Sequence, residues 1–158
     1  MTIPQWALLG FAVWTLLVLF GTVGVYRWSR ILTGRARISE WQANVPQGSD
    51  WYQRAMRAHM NCVENLPVFT AIVVCATAAG ADNPLLDLLA GVILVARICQ
   101  TTVHLSVAQT DSAASVRFAF FFMQSVCMLL MAASVAVTAI GATESEARAL
   151  GSVCSQGL

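Results

Sequence analysis

The stretch Arg54–Phe69, RAMRAHMNCVENLPVF, carries the pattern that decides the fold. It opens as a polar helical sequence and takes Asn61, Glu64, Asn65 and Pro67 into an apolar run that continues to Ala79. At about 100° per residue, with Arg54 at zero, Arg57 falls at about −60°, Asn61 at about −20°, Glu64 at about −80° and Asn65 at about +20°. These residues share one stripe roughly 100° wide, and His59, at about 140°, lies off it and outside any candidate site. Charge carried into membrane depth is costly, so the stripe is expected to face a bundle interior or a wet cavity. It reads as one wall of a binding site.

The rest of the chain supports a membrane setting. Of 158 residues, 58% are hydrophobic and 11% charged, with a mean hydropathy of +0.68, too apolar for an ordinary soluble domain. The length suits one domain. Residues 5–28 form a first apolar segment long enough to cross a bilayer, with Trp6, Tyr26 and Trp28 placed as interfacial anchors. No Lys or Arg precedes Arg27, so the charged start of a signal peptide is missing and the segment is expected to remain as a membrane helix. A polar connection holding Arg27, Arg30, Arg35 and Arg37 ends in PQGSD, where Ser49 or Asp50 suits a helix N-cap. The second helix is expected over 50–79, with Pro67 kinking or locally opening it.

After a short GADNP turn the third helix covers 85–107, with Pro84 suited to its start. From Arg97 as zero, Gln100, Thr101 and His104 lie at about −60°, +40° and −20°, again one stripe. The fourth helix covers 113–140, with Arg117 at its start and no charge from Phe118 to Ile140. The polar tail 143–158 frays or extends it and is given no role. The expectation is an all-α membrane protein, a four-transmembrane-helix bundle forming a single domain.

Nine cations, all arginine, are planar, permanently charged forks suited to carboxylates. Net charge is +1, and no basic patch points to nucleic acid. Cys62, Cys75, Cys99, Cys127 and Cys154 show no metal-ligand spacing, and four of them fall in apolar helical segments as small hydrophobes. Six arginines (27, 30, 35, 37, 54 and 57) cluster between the first two crossings, which puts that connection in the cytoplasm and both termini on the opposite side. A rise of about 1.5 Å per residue brings Arg57, His104 and Arg117 to the cytoplasmic mouth, with Glu64 and Arg97 deeper at similar depths. A Glu64–Arg97 ion pair is the natural expectation, because an unpaired buried charge costs several kcal/mol.

The motif RAxRAHxNxxENxPxF in the second helix, ARxxxxxxH over Ala96–His104 and an arginine opening the fourth helix resemble the MAPEG superfamily, in a bacterial-type form. These are membrane-associated proteins of eicosanoid and glutathione metabolism, and the similarity covers nearly the whole chain. The resemblance implies a homotrimer with glutathione as co-substrate between neighbouring subunits, open to the cytoplasmic side. It implies glutathione contacts at Arg57, Asn61, Glu64 and Arg97, a first-loop contact at Arg37, and thiolate stabilisation by Arg117. His104 is taken as part of the same glutathione site.

The chemistry agrees, since glutathione brings two carboxylates for arginine forks and an ammonium for Glu64. An unperturbed thiol of pKa about 8.5 is about 3% thiolate at pH 7, and lowering it by ~2 units gives about three-quarters thiolate, a preference of ~2.7 kcal/mol. Such a thiolate attacks a small apolar electrophile, or reduces a lipid hydroperoxide, arriving from the bilayer. The resemblance departs at Asn65 and His104, where several members carry tyrosine, and at Gln100, where His or Tyr is common. The interval from His104 to Arg117 is also longer than usual. These departures argue against a dedicated eicosanoid synthase. Two other readings stay open at this point: a non-catalytic membrane lipid-binding or scaffold protein of the same fold, and a small transporter with Glu64, Arg97 and His104 as a polar path. The preferred location is a bacterial inner membrane.

Overall fold

In a computed structural model, residues 1–41 and 48–156 are described, without the side chains of 146, 147 and 149–156. Pro46 and Gln47 of the polar connection, Leu158 and the side chain of Cys154 lie outside the described residues. Four helices cross: α1 (Ile3–Leu32), α2 (Asp50–Ala78), α3 (Pro84–Ser106) and α4 (Asp111–Gln156). All four have a stretch long and apolar enough to span a membrane, and among the described residues there is no strand. The chain is a four-helix multi-pass integral membrane protein.

Helix starts follow local chemistry. Ser49 caps α2, its hydroxyl accepting from Tyr52 N at 3.3 Å, and Asn83 Oδ1 caps α3 by accepting from Leu86 N at 3.0 Å, with Pro84 next. Helix α2 is capped at Ala79, and Gly80 follows with φ +61°, a left-handed turn natural to glycine. Relative to expectation, α1 is longer at both ends (3–32 rather than 5–28). The other corrections are α2 ending at 78 rather than 79, α3 at 84–106 rather than 85–107, and α4 at 111–156 rather than 113–140. The last is the largest, since the polar tail continues α4 to Gln156. Pro67 does not interrupt α2, which is α-helical throughout. Its missing N–H costs one bond in a helix already held on both sides by packing.

Helix α3 is the central element. It packs against the other three, and 44% of its most apolar window is buried, against 22–28% for the others. Phe11 meets Phe69 with ring centroids 6.0 Å apart, and around them Ala90, Ile93 and Met131 are buried. Large apolar residues such as Leu17, Val74, Leu88, Phe122 and Leu129 point outward, as hydrocarbon solvation requires.

Helix α1 contains a π-helical turn at Leu19–Gly24. Its buried positions step from Phe11 to Thr15 to Val18 and then, across the π turn, five residues to Val23. Beyond it Tyr26 stacks on Tyr52 at 4.4 Å, Trp41 closes the group at 5.4 Å from Tyr52, and Arg27 sits over both Trp41 and Tyr52. Arg27 Nε donates to the Tyr52 hydroxyl at 2.6 Å. Trp6 and Trp28 are exposed, as anchors would be, whereas Tyr26 is tied to α2 instead.

Candidate functional site

Helix α3 supplies the centre of the site. Its stripe of Arg97, Gln100, Thr101 and His104 is wholly buried, with Arg97 at 0% exposure. The Arg97 guanidinium donates from Nη1 to Gln100 Oε1 at 2.8 Å and lies 5.3 Å from the Phe11 ring centroid. Among the described residues its Nε and Nη2 have no hydrogen-bond partner. Gln100 Oε1 also accepts from Gln124 Nε2 at 3.2 Å, while Gln100 Nε2 donates to the Arg117 carbonyl at 3.0 Å. One amide therefore joins α3 to α4 and faces a buried charge.

One turn along α3, His104 stands between Asn61 on α2, at 3.2 Å from Nε2, and Arg117 on α4, at 3.4 Å from Nδ1. The structure thus brings Asn61, Arg97, His104 and Arg117 together. Arg57 is exposed, and its Nη1 donates to Gln109 Oε1 at 2.6 Å across the mouth of α3–α4. Arg37 is exposed at the start of a 3₁₀ turn (Ile38–Glu40), and no recorded contact joins it to the cluster.

The expected Glu64–Arg97 ion pair does not form. Glu64 is exposed on the outside of the bundle, and among the described residues the one ion pair within 4.0 Å is the exposed Arg148–Glu144. Glu64 acts on Arg97 only through space. The reason is angular. The buried face of α2, carrying Ala55, Ala58, Cys62, Phe69 and Val73, is centred roughly 100° away from the Arg54–Asn65 stripe. The expectation for the stripe is a bundle interior or a wet cavity, and within the single chain it does not face the interior. Instead Arg57 and Glu64 point out of the single chain, and Asn61 and Asn65 lie half-buried at its border.

Residues 5–137 match the family model of the MAPEG family. The chain belongs to the MAPEG family. No curated protein matches it. Membership of this MAPEG protein agrees with its four-helix membrane fold and supports, at family level, a membrane glutathione-related transferase, peroxidase or related function.

Two parts of the MAPEG protein's cluster were not picked out from the sequence. Gln124 is fully buried on α4, and its side chain also donates to Phe120 O at 2.9 Å. The available signal was its spacing, seven residues or two turns after Arg117. Gln109, which holds Arg57, left no signal beyond being polar in a loop.

Proposed function

We propose that this chain is a membrane-embedded, glutathione-dependent transferase or peroxidase acting on small apolar electrophiles or lipid hydroperoxides, assembled as a homotrimer. The observation that carries the reading is the outward stripe of α2. Within a spanning helix, Glu64 is an exposed carboxylate and Arg57 an exposed cation. Lipid is a poor neighbour for either. A second copy of the chain covering the stripe, with a zwitterionic ligand between, satisfies both groups.

The residue types fit glutathione. Arg57, with Arg37 from the first connection, suits its carboxylates; Glu64 suits its ammonium; Asn61 offers amide hydrogen bonds. Arg97 is enclosed, so it contributes through its charge. Arg117, 7% exposed at the His104 end of the cluster, is the group beside which the thiol ionises. The thiolate sulfur forms the new bond to the electrophile as the leaving group departs. In the peroxidase direction, two glutathiones and a hydroperoxide give an alcohol, water and glutathione disulfide. The arginine-rich first connection supports a cytoplasmic mouth, with a bacterial inner membrane as the setting.

The test is an ultraviolet titration of glutathione into the purified protein at pH 7, with Arg117→Ala alongside. A saturable thiolate band that vanishes in the variant is expected. Absence of the band, with no heat of binding by calorimetry, refutes the reading and favours a non-catalytic lipid-binding protein on this fold.

A further inference from the structure

We propose that His104 is a positioning residue for Arg117, acting as a neutral hydrogen-bond acceptor at Nδ1 in a relay Asn61–His104–Arg117 that joins three helices. The geometry starts from proton counting. An arginine N–H can only donate, so the nitrogen facing Arg117 Nη1 at 3.4 Å, His104 Nδ1, must carry the lone pair. The ring proton is then on Nε2, which lies 3.2 Å from Asn61 Nδ2, so two donors would meet unless the amide is turned over. That amide is satisfied when it presents its oxygen to the ring, the two ends of an amide being interchangeable in shape. Arg117 thus selects the tautomer, and Asn61 takes up the remaining ring proton.

Arg117 is held at both ends from the same helix. Gln100 Nε2 donates to its carbonyl at 3.0 Å and, one turn on, His104 faces its guanidinium. A long, flexible side chain fixed at backbone and tip presents one edge of its fork in one direction. Arg117 of α4 faces the ring, and Arg97 of α3 and Arg57 of α2 are the other charges near enough to act on it through space. A proton on Nδ1 would remove the acceptor and add a fourth positive charge to that group.

The catalytic part of the inference rests on the thiolate reading above; the tautomer part does not, and the experiment separates them. Solid-state nitrogen NMR on the full chain in lipid bilayers, labelled at histidine, reads the ring directly. The chain has two histidines, so His59→Gln leaves the His104 signals alone. The expected spectrum at pH 7 has an unprotonated Nδ1 and a protonated Nε2, with the Nδ1 line shifting in Arg117→Met. A doubly protonated ring, an Nδ1–H tautomer, or no shift in Arg117→Met overturns the proposal.

The second measurement is the glutathione thiolate band at pH 7. In His104→Phe it is expected to fall about threefold, the result of a rise of about one unit in the bound thiol's pKa. The band is read at saturating glutathione, with affinity for S-methylglutathione, which has no thiol, measured separately so that weaker binding is not counted as lost ionisation. His104→Asn, whose Oδ1 takes the place of Nδ1, should recover at least half of the lost band. Equal bands in wild type and His104→Phe, or equal losses in His104→Phe and His104→Asn, overturn the proposal. If wild type itself gives no band, the thiolate reading falls, and the imidazole spectrum still decides whether His104 holds Arg117.

Discussion

Replacing Gln100 by leucine tests how the buried charge of Arg97 is tolerated. Gln100 Oε1 is the one hydrogen-bond partner recorded for the Arg97 guanidinium, at 2.8 Å, and Arg97 is 0% exposed. Leucine preserves approximate volume but removes that acceptor, the 3.2 Å bond from Gln124 and the 3.0 Å bond to the Arg117 carbonyl. The two neutral bonds are worth about 0.5–1.5 kcal/mol each. Removing the neutral acceptor from a buried cation costs about 1.5–3 kcal/mol, the largest single contribution. The expected loss for Gln100→Leu is therefore about 2.5–6 kcal/mol.

The sharper expectation concerns the double variant Arg97→Met/Gln100→Leu. With the charge gone, methionine lies against Phe11 as an apolar partner, and roughly 1.5–3 kcal/mol of the loss should return. The assay is detergent-induced unfolding followed by tryptophan fluorescence for wild type, both single variants and the double variant. A Gln100→Leu loss below about 1 kcal/mol, or a double variant no more stable than Gln100→Leu, would refute the claim that Gln100 exists to hold a buried charge.

Two further outcomes follow from the geometry. Glu64→Arg should leave the helical content of the subunit intact, because Glu64 is exposed and makes no ion pair, while glutathione affinity by calorimetry drops at least tenfold as an ammonium partner becomes a repelling cation; loss of helical content would reinstate a Glu64–Arg97 pair. Gly48→Ala should destabilise by about 2 kcal/mol in thermal melts, since Gly48 has φ +82° and a Cβ there would sit 2.8 Å from Tyr52 Cδ1 and 3.1 Å from the Tyr26 hydroxyl; a melt unchanged from wild type would mean the Tyr26–Tyr52 stack does not need that close approach.

Four crossings could be read from the sequence because each apolar run has bilayer length, and Ser49 because a hydroxyl stands where a polar helix begins. The α3 stripe was legible for the same reason as the α2 stripe: a wheel relates residues on one helix to each other. It does not say which way the shared face points. That is why Arg97, Gln100 and His104 turn out buried while Arg57 and Glu64, read by the same rule, face outward. Depth matching alone then suggested a Glu64–Arg97 pair, when the two lie at similar depth but on diverging faces. Gln124 was hidden because one amide barely lowers the hydropathy of a long apolar run. The π turn was hidden because a membrane helix is apolar on every side, so a change of phase leaves no mark on its pattern.

The π turn at Leu19–Gly24 fixes how the two halves of α1 face relative to each other. It amounts to one extra residue in a 30-residue helix, and its presence sets the azimuth of everything that follows. Deleting a single codon there would relax the segment to an ordinary α-turn and swing Tyr26 and Arg27 by about 100° around the axis. Tyr26 would leave its stack on Tyr52, and Arg27 would exchange the Tyr52 hydroxyl and Trp41 for a lipid-facing position. In reading frame and in length such a deletion is minimal. In effect it would unlatch the C-terminal half of the first helix from the second, while the half before Val18 kept every neighbour it has.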